Sequence, residues 1–314
     1  MTWSSRGPMR RARLSLLSAA ILLAGLSAPA QRRAPARANA ATLFQVSAEP
    51  DGVQIEPVVR VVNGRLTDIV DTGKGPLNRQ LAGSLYKPGR QLAVIFGGGR
   101  AGTLTVKPKL PAGECSPTAA NVTLDAPAVK LGLNVFALAT DSQTLGRPAP
   151  ARRAPTPEER AAGNKLAADL YRQKGVPADR AAAFDTINLT ATDLDGDGTF
   201  ELIGTFKLKR TPVISDMLFL IAEPHGADFR AGFANYEKVD KATLDETNEE
   251  AFASVGPAGF LFEVLLDQLD VDGDGASEVF TRMLSFEGVH FNVYKKSAGR
   301  WQLIKELSNY HCAY

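Results

Sequence analysis

Two nine-residue stretches are nearly the same: Asp193-Leu-Asp-Gly-Asp-Gly-Thr-Phe-Glu201 and Asp270-Val-Asp-Gly-Asp-Gly-Ala-Ser-Glu278. Six of the nine positions are identical, and the second stretch begins 77 residues after the first, at position 270 against position 193. Self-similarity at a fixed interval indicates a duplicated structural unit. Each copy has one strand-like run before the acidic stretch and three after it. The sequence therefore predicts two units of about four antiparallel strands, 187–191, 200–208, 217–222 and 229–236 in the first and 260–266, 279–286, 289–295 and 301–307 in the second.

The acidic stretches have the composition of cation-binding loops. Aspartates at positions 1, 3 and 5 direct carboxylates toward one point, position 6 is a turn-forming glycine, and positions 7 and 9 can add a backbone carbonyl and a further acid. Calcium accepts about six to eight oxygens with loose geometry, magnesium needs a stricter octahedron, and zinc prefers the His and Cys that these stretches lack. We therefore expect two calcium sites, with ligands Asp193, Asp195, Asp197, Thr199 through its carbonyl and Glu201, and Asp270, Asp272, Asp274, Ala276 through its carbonyl and Glu278.

An alternative is that Asp and Gly only form turns in these stretches. Four carboxylates in one turn repel one another unless a cation is present, and this arrangement occurs twice, so a metal is favoured. The loops are not EF-hands, because position 12, which carries a bidentate glutamate in an EF-hand, is Gly204 in one copy and Thr281 in the other. Strand-like sequence, not a helix, follows each loop.

A calcium hairpin with an acid at position 9 resembles the FG-GAP and VCBS-type repeats of integrin-like β-propellers. The resemblance covers the two loops and their flanking strands. It implies calcium-binding β units, packed like propeller blades or as two sheets, that present surfaces to a protein or glycan partner. Closed propellers have about four to eight blades, so two units favour the compact two-sheet arrangement.

The region 43–145 predicts a small all-β domain, so the fold class is mainly β. Its strand-like segments are 43–46, 53–62, 66–70, 91–96, 103–106, 121–124 and 135–139. Asn63-Gly64 between two of them predicts a two-residue type I′ hairpin, which needs positive φ at both positions. The glycine-rich stretch 97–102 predicts a second turn instead of a phosphate loop, because strand-like sequence follows it and no Gly-Lys-Ser/Thr does.

Residues 146–155 predict a linker, because they contain Pro, Gly, Ala and Arg but no large apolar side chain. The second domain then spans 156–314. It opens with Thr156-Pro157-Glu158-Glu159, which supplies an N-cap, a proline at the first helical position and the acid of a capping box. The sequence predicts one α-helix from Pro157 to about Lys174, ended by Gly175.

The first 30 residues have the pattern of a secretory signal peptide. A basic segment precedes an apolar run over 14–26, and Ala28-Pro29-Ala30 provides the small residues before a cleavage point at Gln31. That run is shorter than the roughly 20 residues needed to cross a bilayer, so we expect no permanent membrane span and a periplasmic or extracellular location. Residues 31–42 are expected to form a disordered leader. In an oxidising compartment Cys115 and Cys312 predict one disulfide, with two free thiols as the alternative.

Composition and motifs limit the function. The formal net charge of +2 becomes −2 without the four arginines of the predicted signal peptide, and no basic nucleic-acid footprint is present. The three histidines do not form a His-Glu-x-x-His motif, no Gly-x-Ser-x-Gly occurs, and no catalytic residue is predicted. Two functions remain open: an exported, calcium-stabilised binding or scaffold protein for a protein or glycan partner, and an exported hydrolase without a linear signature. The sequence indicates no oligomeric state.

Overall fold

The computed structural model describes residues 40–69, 83–108, 119–211, 214–226, 228–240, 262–285 and 288–311. Within these ranges the protein is mainly β, as predicted. The predicted signal peptide, most of the predicted leader, and both Cys115 and Cys312 lie outside the described residues, so the predicted disulfide does too.

The region predicted as a small all-β domain forms one antiparallel sheet that closes on itself. Its strands are β1 (Ala40–Glu49), β2 (Gly52–Val62), β3 (Arg65–Thr67), β4 (Gln91–Phe96), β5 (Gly99–Val106), β6 (Ala120–Asp125) and β7 (Ala137–Thr140). They follow the order β1-β7-β4-β5-β6-β2-β3 in the sheet, and β1 also pairs with β2. Apolar side chains fill the interior, among them Phe44, Val94 and Leu104, which are all fully buried.

Two glycine-containing turns connect strands of this sheet. Asn63 and Gly64 have φ values of 50° and 76°, and Val62 pairs with Arg65, as the predicted two-residue hairpin requires. Gly97 and Gly98 also have positive φ, and β5 begins at Gly99, four residues earlier than the strand predicted from position 103. The strand β1 begins at Ala40, inside the predicted leader 31–42, because Ala40 pairs with Val62.

The C-terminal half contains the two predicted four-stranded units. The strands β9 (Asp185–Thr192), β10 (Glu201–Thr211), β11 (Ile214–His225) and β12 (Asp228–Asp240) form one antiparallel meander, and the short strand β8 (Arg152–Arg153) extends it at β9. The second meander consists of β13 (Val264–Leu269), β14 (Glu278–Ser285), β15 (Gly288–Ser297) and β16 (Arg300–Tyr310). In both units an acidic stretch connects the first two strands.

The sheets pack through alternating side chains. Ile203 and Phe219 of the first meander meet Val279 and Tyr294 of the second in one apolar cluster. The next residue along β14, Phe280, points the other way and packs with residues of the closed sheet such as Leu138. Period-two alternation thus gives the second meander two buried faces. It lies between the first meander and the closed sheet.

The predicted helix is α1 (Pro157–Gln173), and it covers the outer face of the first meander. Its capping box is complete: the Glu159 backbone N–H donates to Thr156 Oγ1 at 3.2 Å, and the Thr156 N–H donates to Glu159 Oε2 at 2.8 Å. Tyr171 anchors it to the sheet by donating a hydrogen bond to the Phe206 carbonyl at 2.9 Å. No helix in the described ranges combines the length and the apolar character that a membrane crossing requires.

The predicted linker 146–155 does not separate two domains, because residues Ala38–Tyr314 form one compact unit. Its backbone is hydrogen bonded to the closed sheet: the Arg147 N–H donates to the Gly98 carbonyl at 2.8 Å, and the Ala151 N–H donates to the Gly97 carbonyl at 3.1 Å. The Arg152 side chain is only 3% exposed. A composition without large apolar residues suggested a linker, but backbone bonds and a buried arginine hold this segment in place.

The end of the chain also contacts the closed sheet. Asn309 Nδ2, near the end of β16, donates to the Pro57 carbonyl of β2 at 2.7 Å. His311 Nε2 lies 2.9 Å from Glu56 Oε1, and both side chains are largely buried. The closed sheet is therefore hydrogen bonded to two separate parts of the C-terminal half: the segment 146–155 at its start, and Asn309 and His311 at its end.

Candidate metal centre

The first acidic loop is organised around Asp193, which follows the last residue of β9. Its Oδ1 accepts the Gly196 N–H at 2.6 Å and its Oδ2 accepts the Gly198 N–H at 3.1 Å. Both glycines have positive φ, at 79° and 84°, a conformation that is disfavoured in residues with a Cβ atom. Asp197 Oδ1 accepts the Thr199 N–H at 2.6 Å. The loop is thus closed by its own aspartates, while the Asp195 and Asp197 side chains remain exposed.

The second acidic loop repeats these hydrogen bonds position by position. Asp270 accepts the N–H groups of Gly273 at 2.7 Å and of Gly275 at 3.0 Å. Asp274 Oδ1 accepts the Ala276 N–H at 3.0 Å. The two loops therefore share one backbone frame, although Thr199 of the first corresponds to Ala276 of the second.

Carboxylate oxygens converge in both loops. One oxygen from each of Asp193, Asp195 and Asp197 lies within 4.8 Å of the others, and the same holds for Asp270, Asp272 and Glu278. These two clusters could hold a metal ion. Glu201 of the first loop and Asp274 of the second were also predicted as ligands but lie outside these groupings. Thr199 and Ala276, predicted as carbonyl donors, both occupy position 7 of their loops, and they are exposed and half-buried, respectively.

The acid at position 9 anchors the base of each loop. Glu201 Oε2 accepts the Leu194 N–H at 3.0 Å, and Glu278 Oε2 accepts the Val271 N–H at 3.0 Å. Burial raises the pKa of Glu201 to about 7, with the charges of Asp195 and Asp193 adding to the shift. Burial also raises the pKa of Glu278. A cation among these carboxylates would favour their ionised forms, so the donor set fits a hard divalent ion.

A different cationic side chain lies beside each loop, Arg147 beside the first and Lys295 beside the second, and neither was predicted from the sequence. In the second loop Lys295 Nζ lies 2.6 Å from Asp272 Oδ2, 2.7 Å from Asp274 Oδ2 and 2.9 Å from Glu278 Oε1. Beside the first loop, Arg147 donates to the backbone carbonyls of Asp193 and Leu194, and its Nη1 lies 4.0 Å from Asp193 Oδ1. Strand pairing brings Lys295 to its loop, and loop composition alone gives no signal of this.

A cleft of about 680 Å³ lies beside the second loop. One wall is the turn at Asn63-Gly64, which approaches so closely that a Cβ on Gly64 would lie 3.0 Å from the Cα of Asp272. Polar side chains of the segment 141–147 form another wall, and the loop residues Asp270 and Asp272 complete it. The cleft therefore joins the closed sheet and the second acidic loop in one concave surface.

Neither carboxylate cluster includes one of the three histidines. His225 ends β11 and is exposed, His290 is exposed on β15, and His311 is bound to Glu56.

Comparison with protein families, with curated proteins and with solved structures gives no match.

Proposed function

We propose that the protein is an exported, calcium-stabilised binding or scaffold protein of the FG-GAP or VCBS type, which presents β surfaces to a protein or glycan partner. The observation that carries this proposal is the pair of loops with one hydrogen-bond frame and converging carboxylates. Each connects the first two strands of a four-stranded meander, the position expected from the resemblance.

Calcium is the cation that these loops favour. Their side-chain donors are carboxylates, which suit a hard ion, and neither loop contains a histidine or cysteine for zinc. Short aspartates on a loop of exposed residues allow an irregular oxygen shell, which calcium tolerates better than magnesium. In this proposal the ion neutralises the clustered acids and so stabilises the connection between β9 and β10, and that between β13 and β14.

The cleft beside the second loop supports binding as the role of the surface. Five separate chain segments line it, with polar side chains such as Ser142, Thr144 and Asp272 among apolar ones. The polar side chains of this lining suit hydrogen bonds to a glycan or a peptide. The segments are fixed by sheet pairing on both sides, so the surface is organised before a partner binds.

Thermal unfolding of the chain from Gln31 tests the calcium proposal. After removal of divalent ions with EDTA, added calcium should raise the midpoint, because an ion bound only to the folded state at about 100 times its Kd adds about 2.7 kcal/mol. Magnesium should give a smaller rise. The variants Asp195→Ala and Asp272→Ala should reduce the calcium effect, while the exposed control Asp179→Ala should keep it. Equal midpoints with and without calcium would refute the proposal and direct the search to hydrolase activity.

A further inference from the structure

We infer that the two acidic loops are cation sites of unequal affinity, because the chain supplies a cation of its own, the Lys295 ammonium, to the second loop only. The inference rests on the proposed function, in which both loops hold calcium. It adds an order of filling: the first loop, Asp193–Glu201, binds calcium before the second, Asp270–Glu278.

Lys295 occupies the second loop as a bound cation would. Its ammonium group contacts Asp272, Asp274 and Glu278 at 2.6, 2.7 and 2.9 Å, one carboxylate for each of its three N–H donors. The side chain is only 19% exposed, and that of Glu278 is 1% exposed. The ammonium takes no part in the turn hydrogen bonds of the loop. It lies where three carboxylates converge on one positive charge.

Strand register shows that the first unit has a residue of opposite charge at the position equivalent to Lys295. In the second unit Val279 of β14 pairs with Tyr294 of β15, and Lys295 is the next residue. In the first unit Leu202 of β10 pairs with Ala222 of β11, and the next residue is Glu223. The duplicated units thus place a lysine beside one loop and a glutamate beside the other.

Glu223 does not alter the first loop, because it has cationic partners elsewhere. Its carboxylate accepts hydrogen bonds from Arg230 at 2.9 Å and Trp301 at 3.1 Å and pairs with Lys296 at 2.7 Å. Among the described residues no lysine or arginine forms an ion pair with Asp195, Asp197 or Glu201. Arg147 is directed at backbone carbonyls and reaches only Asp193, at 4.0 Å.

The difference in charge sets the order of binding. Calcium enters the first loop without displacing a side chain. In the second loop it must displace an ammonium that makes three charge-assisted contacts, since two cations do not share one oxygen shell. We therefore expect the second loop to bind calcium with a Kd higher by about tenfold or more, consistent with the strength of charge-assisted hydrogen bonds. Without calcium, Lys295 offsets part of the negative charge of the second loop.

Isothermal titration of the EDTA-treated chain from Gln31 with calcium chloride tests this inference. The wild type should show two unequal sites, with Asp195→Ala removing the tighter and Asp272→Ala the weaker. Lys295→Met should lower the Kd of the weaker site by about tenfold, because the competing ammonium is gone. The control is Lys305→Met, because its side chain is 27% exposed, similar to that of Lys295, and its ammonium pairs with Asp68, which belongs to neither loop. It should leave both Kd values unchanged.

Two outcomes separate this inference from the proposed function. Two equal sites in the wild type, unchanged in Lys295→Met, would overturn the inference and leave calcium binding intact. Absence of calcium binding in the wild type and in Lys295→Met would overturn both. Because methionine beside carboxylates at a partly buried position can impair folding, Lys295→Gln provides a second variant. Circular dichroism checks that each variant is folded before titration.

Discussion

Replacement of Arg152 by methionine tests whether the segment 146–155 is part of one core or a linker. The Arg152 guanidinium lies between the closed sheet and the second meander. It donates to the carbonyls of Phe136 at 3.1 Å and Leu266 at 3.2 Å, and it lies 3.7 Å from Asp267 Oδ1. Both charged side chains are almost completely buried, at 3% and 0% exposure. Methionine preserves much of the volume but removes the charge and all the donors.

We expect Arg152→Met to lower the free energy of unfolding by about 3–5 kcal/mol, the usual cost of leaving one member of a buried ion pair alone. Burial already raises the pKa of Asp267 to about 7 against the opposing charge of Arg152, and loss of Arg152 raises that pKa further. The unfolded chain releases this proton at a lower pH than the folded variant does. Both proteins should therefore lose stability as pH rises from about 4 toward 7. Only the variant continues to lose stability above about pH 7, so its deficit should be larger near pH 8 than near pH 5.

Urea unfolding, followed by circular dichroism and tryptophan fluorescence, measures this effect. The neighbouring variant Arg153→Met is the control, because its side chain is 38% exposed and its pair with Glu159 lies at the surface, so a loss of only about 0.2–1 kcal/mol is expected. Arg152→Met combined with Asp267→Leu should recover much of the loss, since no buried charge remains. Two separate unfolding transitions in the wild type, or equal losses in the two arginine variants, would refute the single-core argument.

Two further substitutions test close packing and pH dependence. Gly99→Ala should destabilise the protein by about 1–3 kcal/mol or more, because the new Cβ would lie 2.0 Å from the carbonyl oxygen of Ala149, whereas Gly132→Ala meets no atom within 4 Å and should be nearly neutral in urea unfolding. Burial lowers the pKa of His311, but the hydrogen bond and charge of Glu56 outweigh it and raise that pKa above its ordinary 6.5. The pair therefore stabilises the fold fully below pH 6.5 and loses its contribution as pH rises through the folded-state value, so thermal midpoints of His311→Gln should fall below the wild type at about pH 6 and approach it at about pH 9. A constant difference over this range would contradict the assignment.

Local sequence signals predicted most of the individual strands and turns. The type I′ turn at Asn63-Gly64 and the capping box of Thr156 and Glu159 depend on neighbouring residues and have the predicted local form. In each acidic loop three of the four predicted carboxylates converge. The repeat also predicted two antiparallel meanders, because each unit repeats the same order of strands and loop.

Features that depend on distant pairing could not be predicted in this way. The segment 146–155 is held by backbone bonds to Gly97 and Gly98, and backbone groups leave no trace in composition. Lys295 reaches the second loop only because β14 and β15 pair in one register. A shift of one residue would place Lys295 on the other face of the sheet, so its role follows from the pairing and not from the loop sequence.

The bonds from Asn309 to Pro57 and from His311 to Glu56 join residues 252 and 255 positions apart. Contacts so distant in the chain form late and slow the folding reaction, because a long loop must close before they contribute. The closed sheet therefore forms its contacts with Asn309 and His311 only after the C-terminal end of the chain is available. For a protein proposed to cross a membrane N-terminus first, this order delays the complete fold until translocation is finished.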